Sequence, residues 1–485
     1  MSPSDKPFDE ERYKALMDGL ECNIIPFKNL VQRNSIFRYD SEFFIKDIIA
    51  IENKITNLSC FYLKPNEVVS GPFGSSLKSD SYLKEGEIPF VRIENIRGGF
   101  DIDTNNIIYI SDYDNKRIIN SQLETNDVIL SKVGNSIGYF ARVDESIGTC
   151  NISENNIGIK LSQYSKIEKH YILSYLNSKY AKKLVLRRTS GNAQPKLNVG
   201  DLCYIPIPVF SKFLYESISR LIEKSRESIL ASKTLLSEVE KKLLTILDYN
   251  TEKASKDSFV QKRLLESFGR SGRLDAEYYQ PKYDDYLTAI LETGQVITIK
   301  QVFVPVTLQC DRTEKKYKYA EIGDIDVGTG TVSSNILDVE ELPANAKILT
   351  QKGDILVSTV RPNRGAIAIV EDGDLLVSGA FTVLRERGEF KKEVLQVLLR
   401  TPMYRDWLLR YNVGTSYPVI KDEDVLNMPL PFIDETIQKE ISTKVQESFA
   451  LRRESKHLLD LAVKAVEMAI ETDEQTAVQW LESQL

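Results

Sequence analysis

Residues 211–247 carry a long, regular pattern of apolar positions and contain neither Gly nor Pro. The apolar side chains recur at steps of three and four, at Ile218, Ile222, Ile229, Leu236, Val239, Leu243 and Ile246. Ser225 and Ser232 occupy two further seam positions, and charged residues lie on the other faces. This spacing is typical of a coiled coil and predicts one helix of about 37 residues, about 55 Å long.

A second helix of similar length is predicted over residues 435–471. Its apolar positions are Ile441, Val445, Leu459, Ala462, Val466 and Ala469. A single apolar stripe on so long a helix must be covered by a partner. We therefore expect the two long helices to run antiparallel and to share one seam.

Residues 25–210 precede the first long helix and show the pattern of a β-rich domain. Turn signals such as Gly71-Pro72 separate short β-branched runs. These runs are 88–96, 107–110, 128–133 and 156–161. Residues 169–188 change to helical spacing, and the prolines of the Ile-Pro-Ile-Pro segment that follows favour an extended chain. The pattern predicts an irregular, mostly antiparallel β domain with a helical end.

The second half of the chain repeats motifs of the first half. Four pairs occur in the same order: 38–44 with 273–279, 92–97 with 321–326, 126–133 with 353–360, and 205–208 with 428–431. Each copy is followed by one of the long helices. This shared order indicates an internal duplication.

The duplication divides the chain into five segments. They are an acidic N-terminal extension (1–24), a first β domain (25–210), a first long helix with a bridge (211–258), a second β domain (259–432), and a second long helix with a tail (433–485). The predicted class is α+β, with two repeated β-rich domains joined by two antiparallel helices in a pseudo-twofold arrangement. Such a molecule suits contact with an extended ligand at two places.

Composition narrows the class of protein. The 485 residues carry a net charge of -7, with a pI near 5.4, which argues against non-specific coating of nucleic acid. No apolar run is long enough to span a membrane, and the N-terminus lacks a secretory signal. Because the five Cys are scattered and only two His occur, we expect reduced thiols, no metal site and a cytoplasmic protein.

Enzyme signatures are missing from the sequence. It contains no GxxxxGK(S/T) phosphate loop, no GxGxxG after a strand and no (D/N)PP(Y/F) methyltransferase motif. We therefore predict a chain that is not an enzyme. Two alternatives stay open: a metal-dependent nuclease with dispersed acidic ligands, and a scaffold whose paired β domains bind protein.

Several motifs in order resemble the specificity subunit of type I restriction–modification systems (HsdS). In the first copy they are SGPFGSSL at 70–77, IPFVRI at 88–93, DVILS at 127–131 and GNAQP at 191–195. The second copy has weaker versions at 353–358, 361–364 and 414–418 and lacks a clear GPFGS loop. The resemblance extends over most of the chain and depends on the order of the motifs.

The resemblance implies that each β domain is a target recognition domain for one half of a split double-stranded DNA site. The helices would set the gap and dock two methyltransferase (modification) subunits, which restriction/translocase subunits would join. This chain would hold no cofactor, since S-adenosylmethionine, ATP and Mg²⁺ would be used by the partner subunits. The docking positions expected on the helices are Ile218, Ile222, Ile229, Leu236, Val239, Leu243, Ile441, Val445, Leu459 and Val466.

The resemblance also makes basic and amide side chains candidates for DNA contact. Base edges are expected to meet Lys78, Arg92, Lys132, Asn135, Arg361 and Arg364. Phosphates are expected to meet Lys182, Lys183, Arg187, Arg188, Lys196, Arg312, Lys315 and Lys316. A solvated helix face is the alternative for the cluster from Lys179 to Lys196, and a loop salt bridge is the alternative for Arg361.

Overall fold

The computed structural model describes residues 9–19, 25, 38, 40–134, 136–191, 194–248, 260–414 and 417–484. Contacts divide the chain into unit one, Met1–Arg226 with Lys456–Leu485, and unit two, Glu227–Ser455. Each unit combines a β domain with parts of both long helices, whereas the division by sequence set the helices apart. Asn135, the bridge at 249–258 and parts of the loops at 190–198 and 414–418 lie outside the described residues.

The described helices, in chain order, are α1 Glu10–Met17, α2 Lys46–Thr56, α3 Asp112–Arg117, α4 Lys166–Leu176, α5 Lys179–Arg187, α6 Lys212–Ile246, α7 Phe268–Ser271, α8 Lys282–Glu292, α9 Ile299–Val302, α10 Lys392–Arg400, α11 Pro402–Leu409, α12 Asp422–Leu426, α13 Glu435–Glu471 and α14 Glu474–Gln484. The two long helices predicted from the sequence are confirmed as α6 and α13. The stretch predicted as helical at 169–188 forms α4 and α5, because the Ser178 hydroxyl accepts from the Ala181 amide and starts a new helix.

The long helices run antiparallel, as the direction of their contacts in unit two shows. Glu238 of α6 bonds Lys444 of α13 at 2.9 Å, while the earlier Ser232 bonds the later Ser448, with 2.7 Å between the hydroxyl oxygens. Both serines are buried, so each hydroxyl satisfies the other inside the seam.

The side chains at the seam positions pack against other residues of this chain. Ile218, Ile222, Val239, Leu243, Ile441, Val445 and Val466 are buried, and Ile229, Leu236 and Leu459 are half-buried. Most of them pack in or against the core of their own unit. The expectation that these side chains dock modification subunits is therefore wrong for the buried ones, because this chain already covers them.

Unit one contains the strands β1 Cys60–Phe61, β2 Val68–Ser70, β3 Ile88–Val91, β4 Ile108–Ile110, β5 Val128–Ser131, β6 Phe140–Arg142, β7 Asn151–Ile152, β8 Asn156–Ile159 and β9 Ile207–Pro208. They form sheets in the orders β2-β8-β5-β6 and β4-β3-β7, and the pair β1-β9. The β3–β7 ladder is parallel, and the other ladders of these sheets are antiparallel. The mostly antiparallel β domain predicted from the sequence is confirmed.

Unit two contains the strands β10 Ile297–Thr298, β11 Phe303–Pro305, β12 Lys316–Ala320, β13 Ile325–Asp326, β14 Thr331–Val332, β15 Asn335–Asp338, β16 Ala346–Leu349, β17 Ile355–Ser358, β18 Ile367–Ile369, β19 Leu375–Ser378, β20 Phe381–Glu386 and β21 Pro429–Leu430. The sheet β11-β20-β17-β18 repeats the four-stranded sheet of unit one, and β15-β12-β19-β16 repeats the second sheet with one strand added. The central β12–β19 ladder is again parallel. The duplication predicted from short motifs is therefore present in the strand order.

The first pair of repeated motifs makes the same contact in both units. In unit one, Arg38 bonds the Asp40 carboxylate at 2.6 and 2.7 Å and donates to carbonyl oxygens at the end of α5. In unit two, Arg273 bonds Asp275 at 2.8 and 2.6 Å and donates to carbonyl oxygens after α11. The Arg-x-Asp motif therefore ties the start of each β domain to the loop that follows its helical end.

The predictions about membrane spans and about the cysteines can be compared with the described part of the chain. No helix in it is long and apolar enough to cross a membrane. Cys60, Cys150, Cys203 and Cys310 are free thiols, and of these four only Cys150 is buried.

His170 makes unit one sensitive to acid. Its ring is buried, with Nδ1 2.8 Å from the Ser219 hydroxyl and Nε2 3.6 Å from Glu223. Burial, and next the charge of Arg142, lower the pKa of His170 to about 4 from 6.5. The imidazole therefore stays neutral in the folded protein at pH values where the unfolded chain binds a proton.

Stability should consequently fall as the pH drops from 6.5 towards 4. The decrease from this one group is about 1.4 kcal/mol per pH unit, or about 3 kcal/mol in all. The measurement is the free energy of unfolding of the wild type and His170→Gln at several pH values, because the variant has no imidazole to titrate at this position. His457, which is exposed, is the control. An equal pH dependence in wild type and His170→Gln would contradict the assignment.

Candidate nucleic-acid interface

In unit one, two loops meet beside the end of β5. The carbonyl oxygen of Lys132 accepts from the Leu197 amide at 2.9 Å, and Gly134 donates to the carbonyl oxygen of Pro195 at 3.0 Å. Lys196 lies between these two contacts in the second loop. The fold therefore brings together residues that the sequence places far apart.

Four lysines, Lys132, Lys182, Lys183 and Lys196, define what we call the basic surface of unit one. Lys183 and Lys196 are exposed, whereas Lys132 and Lys182 are half-buried. Burial, and next the charge of Lys196, lower the pKa of Lys132. The Lys182 ammonium lies 5.7 Å from the centre of the Tyr139 ring. An anion bound here would relieve the repulsion between Lys132 and Lys196, so the surface favours phosphate groups.

A groove of about 390 Å³ adjoins this surface. Phe73, which is 83% exposed, and Arg92 lie in its lining, together with Asn155. Lys132 borders the groove, because its amide donates to the carbonyl oxygen of Asn155 at 2.8 Å and its ammonium bonds the Ser70 hydroxyl at 3.2 Å. An exposed aromatic ring next to cations provides the kind of surface on which nucleic-acid bases stack.

The glycines of the GPFGS motif allow this loop to approach its neighbour. A Cβ atom at Gly71 would lie 1.9 Å from the carbonyl oxygen of Ser153, which is far inside contact distance. The Gly74 amide donates to the Glu154 carboxylate at 2.6 Å. The motif therefore fixes the base of the loop while leaving Phe73 exposed.

Unit two has an equivalent loop after β17, with arginine in the place of glycine. Arg361 corresponds to Gly134 and has a φ of +51°, where Gly134 has +78°. Its amide donates to the carbonyl oxygen of Pro418 at 2.7 Å, as that of Gly134 does to Pro195. Its guanidinium lies 4.3 Å from the centre of the Tyr417 ring. A non-glycine residue at positive φ is strained, and such strain is concentrated at functional sites.

Replacing Arg361 by Gly should lower the affinity for DNA while leaving the stability of the fold nearly unchanged. The free energy of unfolding should change by less than about 1 kcal/mol, because relief of the strained φ offsets the missing cation–π interaction with Tyr417. Affinity for a cognate DNA duplex should fall about tenfold, the value of one base contact. Binding and unfolding of Lys300→Ala, which removes a cation bonded to Asn427, serve as the control. Undiminished affinity of Arg361→Gly would exclude the contact.

Most of the other predicted DNA contacts lie at the surface. Lys78, Lys315, Lys316 and Arg364 are exposed. Lys316 lies 3.5 Å from the Asp338 carboxylate, in a pair that water screens. Arg92 is half-buried, donates to a backbone carbonyl at 3.3 Å and forms an ion pair with Glu94.

Three predicted phosphate contacts are bonded to other groups of this chain instead: Arg187 and Arg188 are buried, and Arg312 is half-buried. Arg187 and Arg188 are buried, with Glu52 at 2.9 Å from Arg187 and 3.7 Å from Arg188. Arg312 donates to the carbonyl oxygens of Pro343 and Ala346 at 2.9 and 3.0 Å. The expectation that Arg187 and Arg188 lie on the surface is wrong, as is the alternative of a solvated helix face for these two.

Sequence patterns do not reveal a basic cavity in unit two. Arg400, Arg405 and Arg452 line it, and they come from α10, α11 and α13. Only Arg400 and Arg405 are near each other in sequence, so no local pattern marks the set. The described residues include no group of His, Cys, Asp or Glu that could hold a metal ion.

Comparison with known proteins gives similarity in structure only. No protein-family model and no curated protein matches the sequence. Solved structures that match include the S subunit of a type I restriction–modification system from M. genitalium, at 15% identity and a TM-score of 0.38, over 84% of this chain and 96% of that one.

Two further matches come from the same class of system. The HsdS subunit from Thermoanaerobacter tengcongensis has 14% identity and a TM-score of 0.26, over 85% of this chain and 98% of its own. A chain from a structure on complex assembly and conformational transition of the type I R-M system has 14% identity and a TM-score of 0.27, over 83% and 95%.

Proposed function

We propose that this chain is the DNA sequence-recognition and scaffold subunit of a type I restriction–modification complex. Unit one binds one half of a split double-stranded site, unit two binds the other half, and the long helices set the gap. Two methyltransferase subunits and the restriction/translocase subunits assemble on it. These partners use S-adenosylmethionine, ATP and Mg²⁺, whereas this chain contributes no catalytic residue.

The observation that carries the proposal is one loop scaffold with different side chains in two units. The loop after β5 presents Lys132, and the equivalent loop after β17 presents Arg361. In each loop a backbone amide donates to a proline carbonyl oxygen. Gly134 donates to Pro195 at 3.0 Å, and Arg361 donates to Pro418 at 2.7 Å. Equal scaffolds that present different side chains are what recognition of two different half-sites requires.

The buried seam restricts where partner subunits dock. Since the apolar stripe of α6 and α13 is covered by this chain, the docking surface is assigned to the outer faces of these helices. Leu230 of α6, which is 44% exposed, is an apolar position on such a face. Leu230→Glu should weaken co-purification with the modification subunits while leaving the monomer folded.

Long-read sequencing of the host genome tests the proposal, with the gene present and with the gene deleted. A split motif with methylated adenine in each half and a fixed gap should disappear on deletion. Complementation with Arg361→Gly should weaken or alter the recognition of one half-site. The methylated motif should therefore change in that half only. Unchanged methylation on deletion, together with no DNA binding by the chain in complex with its partners, would refute it and favour a protein-binding scaffold.

A further inference from the structure

Cationic side chains converge on one cavity of about 300 Å³ in unit two. The wall includes the helices α6, α10, α11 and α13 and the loop after β13. Its charged residues are Arg400, Arg405, Arg452, Lys233 and Glu240. Four cations therefore share the cavity with one lining carboxylate.

Each of the three arginines has one nitrogen, Nε, without a hydrogen-bond partner in the described part of the chain. Arg400 is fixed by donating to the carbonyl oxygens of Val327 and Thr329 at 2.8 and 3.0 Å. The Nε atoms of Arg400, Arg405 and Arg452 are each buried without a hydrogen-bond partner within the described ranges. A buried cationic donor without an acceptor is costly, so these groups point to a ligand that supplies acceptors.

Neighbouring carboxylates do not replace that ligand. Asp326 lies near enough to attract Arg400 and Arg452, and Glu371 attracts Arg452. Neither carboxylate accepts a hydrogen bond from the Nε atoms of these arginines. Burial lowers the pKa of Arg400 to about 10, which still leaves the guanidinium charged at neutral pH. The cavity is therefore positively charged under ordinary conditions.

The duplicated fold does not require these arginines. In the register of the repeat, Asn177 of unit one takes the place of Arg400, and Lys182 takes that of Arg405. The Asn177 amide is satisfied by the carbonyl oxygens of Phe140 and Leu173 at 3.0 and 3.1 Å. The arginine cluster is thus a feature of unit two alone and not a packing need of the shared architecture.

We propose that the cavity binds a phosphate group. The planar guanidinium fork matches tetrahedral oxyanions with two parallel hydrogen bonds. Four cations around one cavity favour an anion over a cation or an apolar ligand. The phosphate is either a phosphodiester of a DNA backbone or a free phosphate. The inference does not depend on the proposed function, because the cavity is complete within unit two.

Calorimetric titration of the full chain with inorganic phosphate tests the binding. The wild type should bind with a saturable isotherm, and Arg405→Gln or Arg452→Gln should weaken binding at least tenfold. Lys352→Gln, which removes an exposed lysine of the same unit that is not among the predicted DNA contacts, should bind like the wild type. Without phosphate, both arginine variants should melt at or above the wild-type temperature, because each substitution removes a buried Nε–H group that has no acceptor. A clearly lower melting temperature would indicate a structural role and overturn the proposal.

Binding to a DNA duplex distinguishes the two sources of phosphate. If the source is DNA, Arg405→Gln and Arg452→Gln weaken duplex binding and inorganic phosphate competes with the duplex. If the source is a free phosphate, the variants lose phosphate binding while their DNA affinity is unchanged. The proposal fails if the wild type shows no saturable phosphate binding and both variants bind DNA as it does. Wild-type DNA binding, measured in the same series, reports separately on the proposed function.

Discussion

Replacing Glu52 by Leu should lower the free energy of unfolding of unit one by about 3–5 kcal/mol. Glu52 is the carboxylate partner of Arg187, at 2.9 Å, and both side chains are buried. Arg187 also donates to the carbonyl oxygen of Phe43 and lies 4.2 Å from the centre of its ring. Removal of the carboxylate would leave a guanidinium buried and uncompensated, and Arg188 would be deprived of the same carboxylate.

The two tryptophans make the measurement specific to a unit. Trp480 belongs to unit one and Trp407 to unit two, and the chain has no other tryptophan. Denaturant unfolding in a Trp407→Phe background therefore reports on unit one through Trp480. Glu94→Gln, in a pair that is half-exposed, is the control and should cost less than about 1 kcal/mol.

A double variant separates an unpaired charge from weakened packing. Glu52→Leu combined with Arg187→Met replaces the pair by apolar side chains of similar size, which is often nearly neutral. The double variant should therefore be more stable than Glu52→Leu alone. If the second substitution instead destabilised the protein further, the ion pair would not explain the effect.

The burial of Arg187 and Arg188 shows which contacts a sequence pattern cannot predict. The long helices α6 and α13 were predictable because their apolar spacing is local to each helix. The duplication was predictable because order along the chain survives when individual motifs diverge. Arg187, however, is buried by contact with Glu52, which lies in a different helix far along the chain. A cluster of basic residues without acids nearby in sequence therefore indicates nothing about acids nearby in space.

The arginine cavity shows the opposite case, in which residues far apart in sequence form a basic cluster that no local pattern predicts. Arg452 lies in the long helix α13, where a basic residue looks like part of a solvated face. Its meaning depends on Arg400 and Arg405, which only the fold of unit two brings to the same cavity. By contrast, Lys132 and Arg361 follow recognisable strands of the repeat, so their position on loops was predictable. The strained φ of Arg361 was not, because no local rule assigns positive φ to arginine.

The affinity of the chain for its DNA site should fall by about three decades between 50 and 200 mM salt. This is the decrease expected when about six phosphates are neutralised, since each neutralised phosphate releases bound counterions. We expect the basic surface of unit one to contribute part of this decrease. Replacing Lys132, Lys183 and Lys196 together by Gln should reduce the slope of log affinity against log salt by about 1 for each phosphate that is no longer neutralised.

Lys179 provides a matched control on the same surface helix. It is exposed on α5 next to this cluster, but its ammonium is paired with Glu471 and lies 3.8 Å from Glu467. Lys179→Gln also removes positive charge from this helix, so an effect of net charge alone would appear in both variants. A phosphate contact predicts that only the triple variant changes the slope. A proportionate change in both would indicate a general electrostatic effect, and a slope near zero in the wild type would favour an apolar protein partner over DNA.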